Sequence, residues 1–237
     1  MPAVATAVVL AGGAGARMGA GAPKALLPLC GRPMLTWSVR AMVAAPEVER
    51  VIVVAPAGLE AQVAAALDGL AGVHAVVGGG SSRARSVRAG LAAAPDGDGA
   101  VLVHDAARPL VTAALVAAVL AGLEGVDGAI AAAPLADTLK RAGDDLIIEG
   151  TVDRAGLWRA ETPQAFGLGT LRAAVARADA AGTLDDATDC ASLVEAAGGR
   201  VRLVASTEPN LKVTTPLDMA VAEALLAARA EPGALLR

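Results

Sequence analysis

The chain has 237 residues, 55% of them apolar, with a formal net charge of −4. The length suits one α/β domain with a sizeable core, and the charge excludes a global field that would gather nucleic acid or an anionic membrane. No apolar run approaches the roughly 18 residues of a spanning helix, no basic segment opens the chain as in a secretory leader, and two cysteines make neither a disulfide framework nor a metal-ligand pattern, so a soluble cytoplasmic protein is expected.

The first element is "VATAVVL" (4–10), a valine-rich apolar run that ends in glycine, as a buried strand does. A glycine-rich loop follows, and then "RPMLTWSVRAMVAA" (32–45) has helical spacing with a proline near its start. Strand and helix then alternate: strands over 50–56, 73–80, 99–109 and 128–135, and helices over 59–70, 81–94 and from 112 onward. Such alternation, with strands apolar on both faces, predicts a doubly wound, mostly parallel sheet of Rossmann-like type covered by helices on both sides. Ligands on such sheets lie at the carboxyl ends of the strands, so the polar stretches 11–24, 78–86, 104–109 and 134–138 should share one rim. The rhythm breaks at 137–166, where short alternating segments and turn signals predict a protruding β-hairpin arm. A strand over 200–207 and a helix over 216–230 close a single domain.

"LAGGAGARMGAGAPK" (10–24) fits neither common phosphate loop. No lysine here follows a glycine and precedes Ser or Thr, and Met18 stands where the dinucleotide fingerprint needs its third glycine. The parts of an anion site are nevertheless present. After Ala11, which is grouped with them as nucleotide-binding, Gly12, Gly13 and Gly15 allow backbone N–H groups to converge, and Arg17 and Lys24 bracket the anion. A surface loop with incidental cations is the other reading. Lysine is scarce, at positions 24, 140 and 212 only, which hints that each marks a place suited to a compact ammonium.

"LAGGAGARM" with "PK", "GGSSRARSVRAGL" (79–91), "VHDAARP" (103–109), "DTLKR" (137–141), "TVDRAGLWRAETPQAF" (151–166) and "NLKVTTPLDMAVAE" (210–223) together resemble, in order and along the whole chain, the 2-C-methyl-D-erythritol 4-phosphate cytidylyltransferase family. The resemblance implies a transferase that joins a polyol phosphate to CTP, releases pyrophosphate, uses Mg²⁺ and works as a homodimer through the 137–166 arm. It implies that Arg17 and Lys24 stabilise charge at the α-phosphate. It places Gly79, Gly80, Ser86 and Ala106 around the nucleotide. Asp105, Arg108, Thr138, Arg154, Thr188 and Lys212 would hold the substrate, with Asp105 facing the metal. From the residues alone, Asp105 also reads as a turn cap, Lys212 as a surface lysine, Arg85 and Arg88 as a solvated face, and Asp185, Asp186 and Asp189 as an acidic helix start. His104 reads as a packed, hydrogen-bonded histidine. Departures from the family pattern are small: Leu10 stands where some relatives have proline, and Ser81 where others carry an acid. Ribitol-5-phosphate cytidylyltransferase is the nearest alternative, and an inactive nucleotide-binding regulator a more distant one.

Overall fold

A computed structural model describes residues 4–12, 23–97 and 99–230. In chain order the elements are β1 (Ala5–Leu10), the short hairpin β2 (Pro28–Leu29) and β3 (Arg32–Pro33), α1 (Met34–Val43), β4 (Val48–Ala55), α2 (Glu60–Ala66), β5 (Val73–Gly78), α3 (Arg83–Ala93) and β6 (Ala100–Asp105). After them come α4 (Ala113–Ala121), β7 (Gly128–Pro134), β8 (Leu139–Ala142), β9 (Ile148–Val152), β10 (Trp158–Gly167), α5 (Leu168–Ala180), α6 (Cys190–Ala196), β11 (Val201–Ala205) and α7 (Pro216–Ala230). Seven strands form one sheet in the order β11-β7-β10-β6-β1-β4-β5. Every pairing is parallel except those of β10, which runs antiparallel to both β6 and β7.

The two-residue period of a strand divides the core. Ala7 and Val9 of β1, with Val51 and Val53 of β4, pack against Leu35, Val39 and Met42 of α1, Val63 of α2 and Val116 of α4. Val8, Leu10, Ile52 and Val54 point the other way, onto Val87 and Leu91 of α3 and a cluster that takes in Leu171 of α5 and Leu193 of α6. The strands are apolar on both faces because both faces are covered. The edge strands depart from this, β5 half-exposed and Leu203 of β11 facing solvent, and so does the central β10, which buries polar residues. Gly90 lets α3 lie hard on the sheet, since a Cβ there would sit 2.4 Å from Val8 Cγ1. A third cluster joins α7 to the hairpin, with Leu29, Met34, Leu110, Val213, Ala222 and Leu226 buried together.

The expected arm is shorter than 137–166. Within that span only β8 and β9 form a separate antiparallel hairpin, whereas β10 re-enters the middle of the sheet and its Ala165 and Phe166 are wholly buried. "ETPQ" falls within the expected arm, but Glu161, Thr162 and Gln164 are buried and hydrogen-bonded.

Candidate active site

Four strands, β1, β4, β5 and β6, end at one side of the sheet, and their following loops surround a cavity of about 470 Å³. Ala11, Gly12, Lys24, Gly79, Gly80, Ser86, Asp105, Ala106 and Lys212 all line it, and so does Arg83. The parallel strands put Ala11, Gly12, Gly79, Gly80, Asp105 and Ala106 at one rim, and Lys24 and Lys212 reach it from a 3₁₀ turn and from the irregular segment after β11.

The glycine wall is built by side-chain and backbone bonds. Gly79 N–H donates to Ala55 O at 2.8 Å, and Gly80 N–H to Ser86 Oγ at 3.2 Å. The Ser86 hydroxyl in turn donates to Ser82 O at 2.9 Å, so its proton is spent inside the loop. A Cβ at Gly79 would lie 2.9 Å from Ser86 Oγ and 3.0 Å from Ala55 O. Glycine is needed there for close approach, and Ser86 pins the wall.

Asp105 closes β6 and is buried. Its Oδ1 accepts from Arg83 Nε at 3.1 Å, with Arg83 Nη2 also 3.1 Å away, and its Oδ2 accepts from Lys212 Nζ at 2.8 Å. Burial pushes this carboxyl up, but the Arg83 guanidinium and then the Lys212 ammonium outweigh it and hold it well below the usual carboxylate range. The described lining side chains therefore carry three cations, Lys24, Arg83 and Lys212, and one carboxylate, a local excess of two positive charges in a protein of charge −4. Lys24, on a short 3₁₀ turn after Pro23, donates from Nζ to Val213 O at 2.8 Å.

Behind Asp105, His104 is fully buried, and burial pulls it down to about 4. Its Nε2 lies 3.2 Å from Arg108 O, which can only accept, so Nε2 carries the proton. Its Nδ1 then accepts from the Thr162 hydroxyl at 3.1 Å, while Thr162 Oγ1 accepts from Asp105 N–H at 3.1 Å. The ring is a structural clamp on the turn that follows β6. A neutral histidine with both nitrogens committed is the packed residue expected from the sequence.

Several expected site residues stand elsewhere. Arg108 turns away from the cavity, donating from Nη1 to Asn210 O at 2.7 Å and lying 3.8 Å from Glu161. Thr138 and Arg154 flank the hairpin in exposed positions, and Arg154 Nη1 donates to Ala136 O. Thr188 stands just before Asp189, which caps α6 by a capping box, and does not line the cavity. Arg85 and Arg88 are paired rather than merely solvated, with Asp185 and Asp179. Gly13, Gly15 and Arg17 lie outside the described residues. Sequence reasoning missed the Arg83–Asp105 pair and the cluster of Glu161, Thr162, Gln164 and Asn210 behind it. The polar run between Trp158 and Phe166 was the available signal.

The family model for 2-C-methyl-D-erythritol 4-phosphate cytidylyltransferase matches residues 5–228. The enzyme of that name from Rubrobacter xylanophilus is 45% identical over 237 residues, covering 98% of this chain and 99% of the relative. That of a Synechococcus species is 42% identical, covering 95% and 99%. Among solved structures, the cytidylyltransferase of the same name from Thermus thermophilus is similar with a TM-score of 0.77 at 34% identity, covering 93% of this chain and 98% of the other. The 4-diphosphocytidyl-2C-methyl-D-erythritol synthase from Anaerococcus prevotii reaches 0.81 at 26% identity, covering 96% and 100%.

Proposed function

The chain belongs to the 2-C-methyl-D-erythritol 4-phosphate cytidylyltransferase family, and from that premise we propose that the cavity beneath Lys24 and Lys212 is where CTP meets a polyol phosphate. The enzyme transfers the cytidylyl group of CTP to 2-C-methyl-D-erythritol 4-phosphate, releasing pyrophosphate, in isoprenoid precursor biosynthesis by the non-mevalonate route.

A phosphate oxygen of the substrate attacks the α-phosphorus of CTP, and the bond to the β-phosphate oxygen breaks. No protein nucleophile is required, so the protein contributes position and charge. The observation that carries this reading is one cavity lined by Lys24 and by Arg83 and Lys212, the last two paired with the carboxylate of Asp105, at the strand ends where glycines bare the backbone. Lys24, with Arg17, takes the charge that builds at the α-phosphate. Lys212 takes the substrate phosphate. Gly79 and Gly80 face the base, and Ser86 holds them in place.

The nucleotide brings about four negative charges and the substrate phosphate about two, since the second ionisation of a phosphate lies near pH 6. That exceeds the local positive excess. No group of three or more His, Cys, Asp or Glu that could hold a metal exists among the described residues. One carboxylate at the cavity therefore fits Mg²⁺ that arrives on triphosphate oxygens, with Asp105 the residue that would hold it. Bound there, the ion would draw charge from the phosphates. For the arm, the hairpin tip exposes Leu146 (84%), Ile147 (65%) and Ile148 (60%), an apolar end that the described residues of its own chain leave open. Thr138 and Arg154 stand away from the cavity of their own chain. Both observations support a homodimer in which the hairpin completes the neighbour's site.

The test is to supply CTP or UTP with either methylerythritol phosphate or ribitol 5-phosphate and measure pyrophosphate. CTP with methylerythritol phosphate should exceed UTP by at least about a hundredfold in kcat/KM, because backbone carbonyls of the 79–80 loop that accept from the 4-amino group of cytosine would meet a second acceptor in uracil. Preference for ribitol 5-phosphate would move the substrate assignment, equal use of UTP would remove the base pocket, and no pyrophosphate with any pair would remove catalysis.

A further inference from the structure

Residues 206–213 leave β11 as irregular backbone and carry Lys212 into the cavity. A segment without helix or strand is placed by its side bonds and by the apolar side chains it buries, here Val213. On the cavity side there are three: Lys212 pairs with Asp105, Val213 N–H donates to Ala107 O at 2.8 Å, and Val213 O accepts from Lys24; away from it, Asn210 O accepts from Arg108 and Ser206 N–H donates to Ala132 O at 2.8 Å. On the opposite side there is Glu161, 6% exposed, in β10. Its Oε2 accepts from the Ser206 hydroxyl at 2.9 Å and from Asn210 Nδ2 at 3.0 Å. Its Oε1 lies 3.8 Å from Arg108 and 3.9 Å from Arg159. Glu161 does not line the cavity.

A buried carboxylate is costly to keep unless its bonds are fulfilled, and the bonds of Glu161 reach both the first strapped residue, Ser206, and the last one before Lys212 that is clamped, Asn210. Asn210 Nδ2 also reaches Thr162 O at 2.8 Å, so the same strand grips the strap twice. Val213 is tied independently through Ala107 and Lys24. Losing the Glu161 carboxylate thus removes two side-chain ties on 206–212, while Ser206 N–H stays on Ala132 O at 2.8 Å, Asn210 stays on Thr162 O and Arg108, and the Lys24 end stays fixed. We infer that Glu161 is a positioning residue: its carboxylate sets the 206–212 strap, through Ser206 and Asn210, so that Lys212 meets the substrate phosphate. The inference rests on the reading of Lys212 as the grip on that phosphate.

The experiment measures KM for methylerythritol phosphate and for CTP, with kcat, in Glu161→Ala, Glu161→Gln, Ser206→Ala, Lys212→Ala and the double variant Glu161→Ala/Lys212→Ala. Glu161→Ala should raise KM for the polyol phosphate about tenfold, as the loss of two buried acceptor bonds implies, with KM for CTP within about twofold. Glu161→Gln keeps an oxygen for Ser206 and Asn210 and should return the value to within about threefold of the parent. Ser206→Ala, which removes one bond at a half-buried position, should give about threefold and answers the question should Glu161→Ala fail to fold. The double variant should be no worse than Lys212→Ala, because one acts through the other. Multiplying effects, or a lowered melting temperature with both KM values unchanged, would overturn the positioning role while Lys212 keeps its own. An unchanged KM in Lys212→Ala would instead remove the phosphate grip, and this inference with it.

Discussion

Replacing Lys24 by alanine tests whether the cavity cations act on the transition state or merely hold the nucleotide. Lys24 lines the cavity and its Nζ donates to Val213 O at 2.8 Å, so the change removes one positive charge and one strap contact. Two unit charges about 4 Å apart interact by about 4 kcal/mol at an effective dielectric near 20, and a single preorganised contact to developing charge is worth about 3 kcal/mol. That is a loss of a hundredfold or more in kcat. The strap contact is a part-buried hydrogen bond worth about 1 kcal/mol, so the melting temperature should fall by only about 2–4 °C for a chain of this size. Pyrophosphate release at saturating CTP and methylerythritol phosphate gives kcat, and a CTP titration gives KM, which should change by no more than a few-fold. Arg17→Ala should behave alike. A kcat within about threefold of the parent, or a loss wholly in KM for CTP, would place Lys24 in ground-state binding and refute the reasoning.

If the hairpin completes the neighbour's site, inactive Lys24→Ala and Arg154→Ala chains that exchange subunits should recover roughly a quarter of parent activity, since half the dimers are mixed and each mixed dimer has one intact site; a dead mixture with exchange proven by distinguishable tags rules the shared site out. The start of α7 is closed by Thr215 and Asp218, each accepting from the other's backbone N–H, at 3.2 and 2.8 Å, and the Thr214 hydroxyl, then the Thr214 and Thr215 N–H groups, hold Asp218 at about 2. A depressed carboxylate stabilises above its unfolded value and loses that contribution as pH falls through its folded one. Asp218→Asn should therefore melt about 2–4 °C below the parent at pH 7, from a cap worth about 1 kcal/mol, and the gap should narrow as pH falls from about 4 towards 2; a gap that stays constant over that range would refute the ionised cap.

The doubly wound sheet was legible because its strands are covered on both faces and so carry uninterrupted apolar runs, from "TAVVL" in β1 to "VIVVA" in β4. The end of each such run locates the rim, and that alone brings Gly12, Gly79 and Asp105 together without any knowledge of distance. Where a strand is held by polar bonds, the same logic misreads it. β10 carries Glu161, Thr162 and Gln164 into the interior, each matched to a partner from another segment: Ser206 and Asn210 for Glu161, His104 and Asp105 for Thr162, Asp189 and Cys190 for Gln164. Polar residues matched across 25 to 58 positions leave no local period, so the strand reads as part of the arm.

The site shows the same division between what is local and what is not. Lys24 and Lys212 stand out in the sequence as rare lysines, but nothing local says that they share a cavity. Their meeting depends on Val213, whose N–H is held by Ala107 and whose carbonyl holds Lys24, while the preceding residue reaches Asp105. Asp105 thus works before any ligand arrives. Without a carboxylate between them, Arg83 and Lys212 would repel one another and turn outward to water; with it, both are fixed at the cavity while the site keeps its positive excess. On the proposed function, a carboxylate inside a cavity that binds phosphates is therefore consistent with its purpose. It gives up one unit of attraction for the substrate phosphates in exchange for cations already in place when they bind, which is the condition for electrostatic stabilisation without reorganisation.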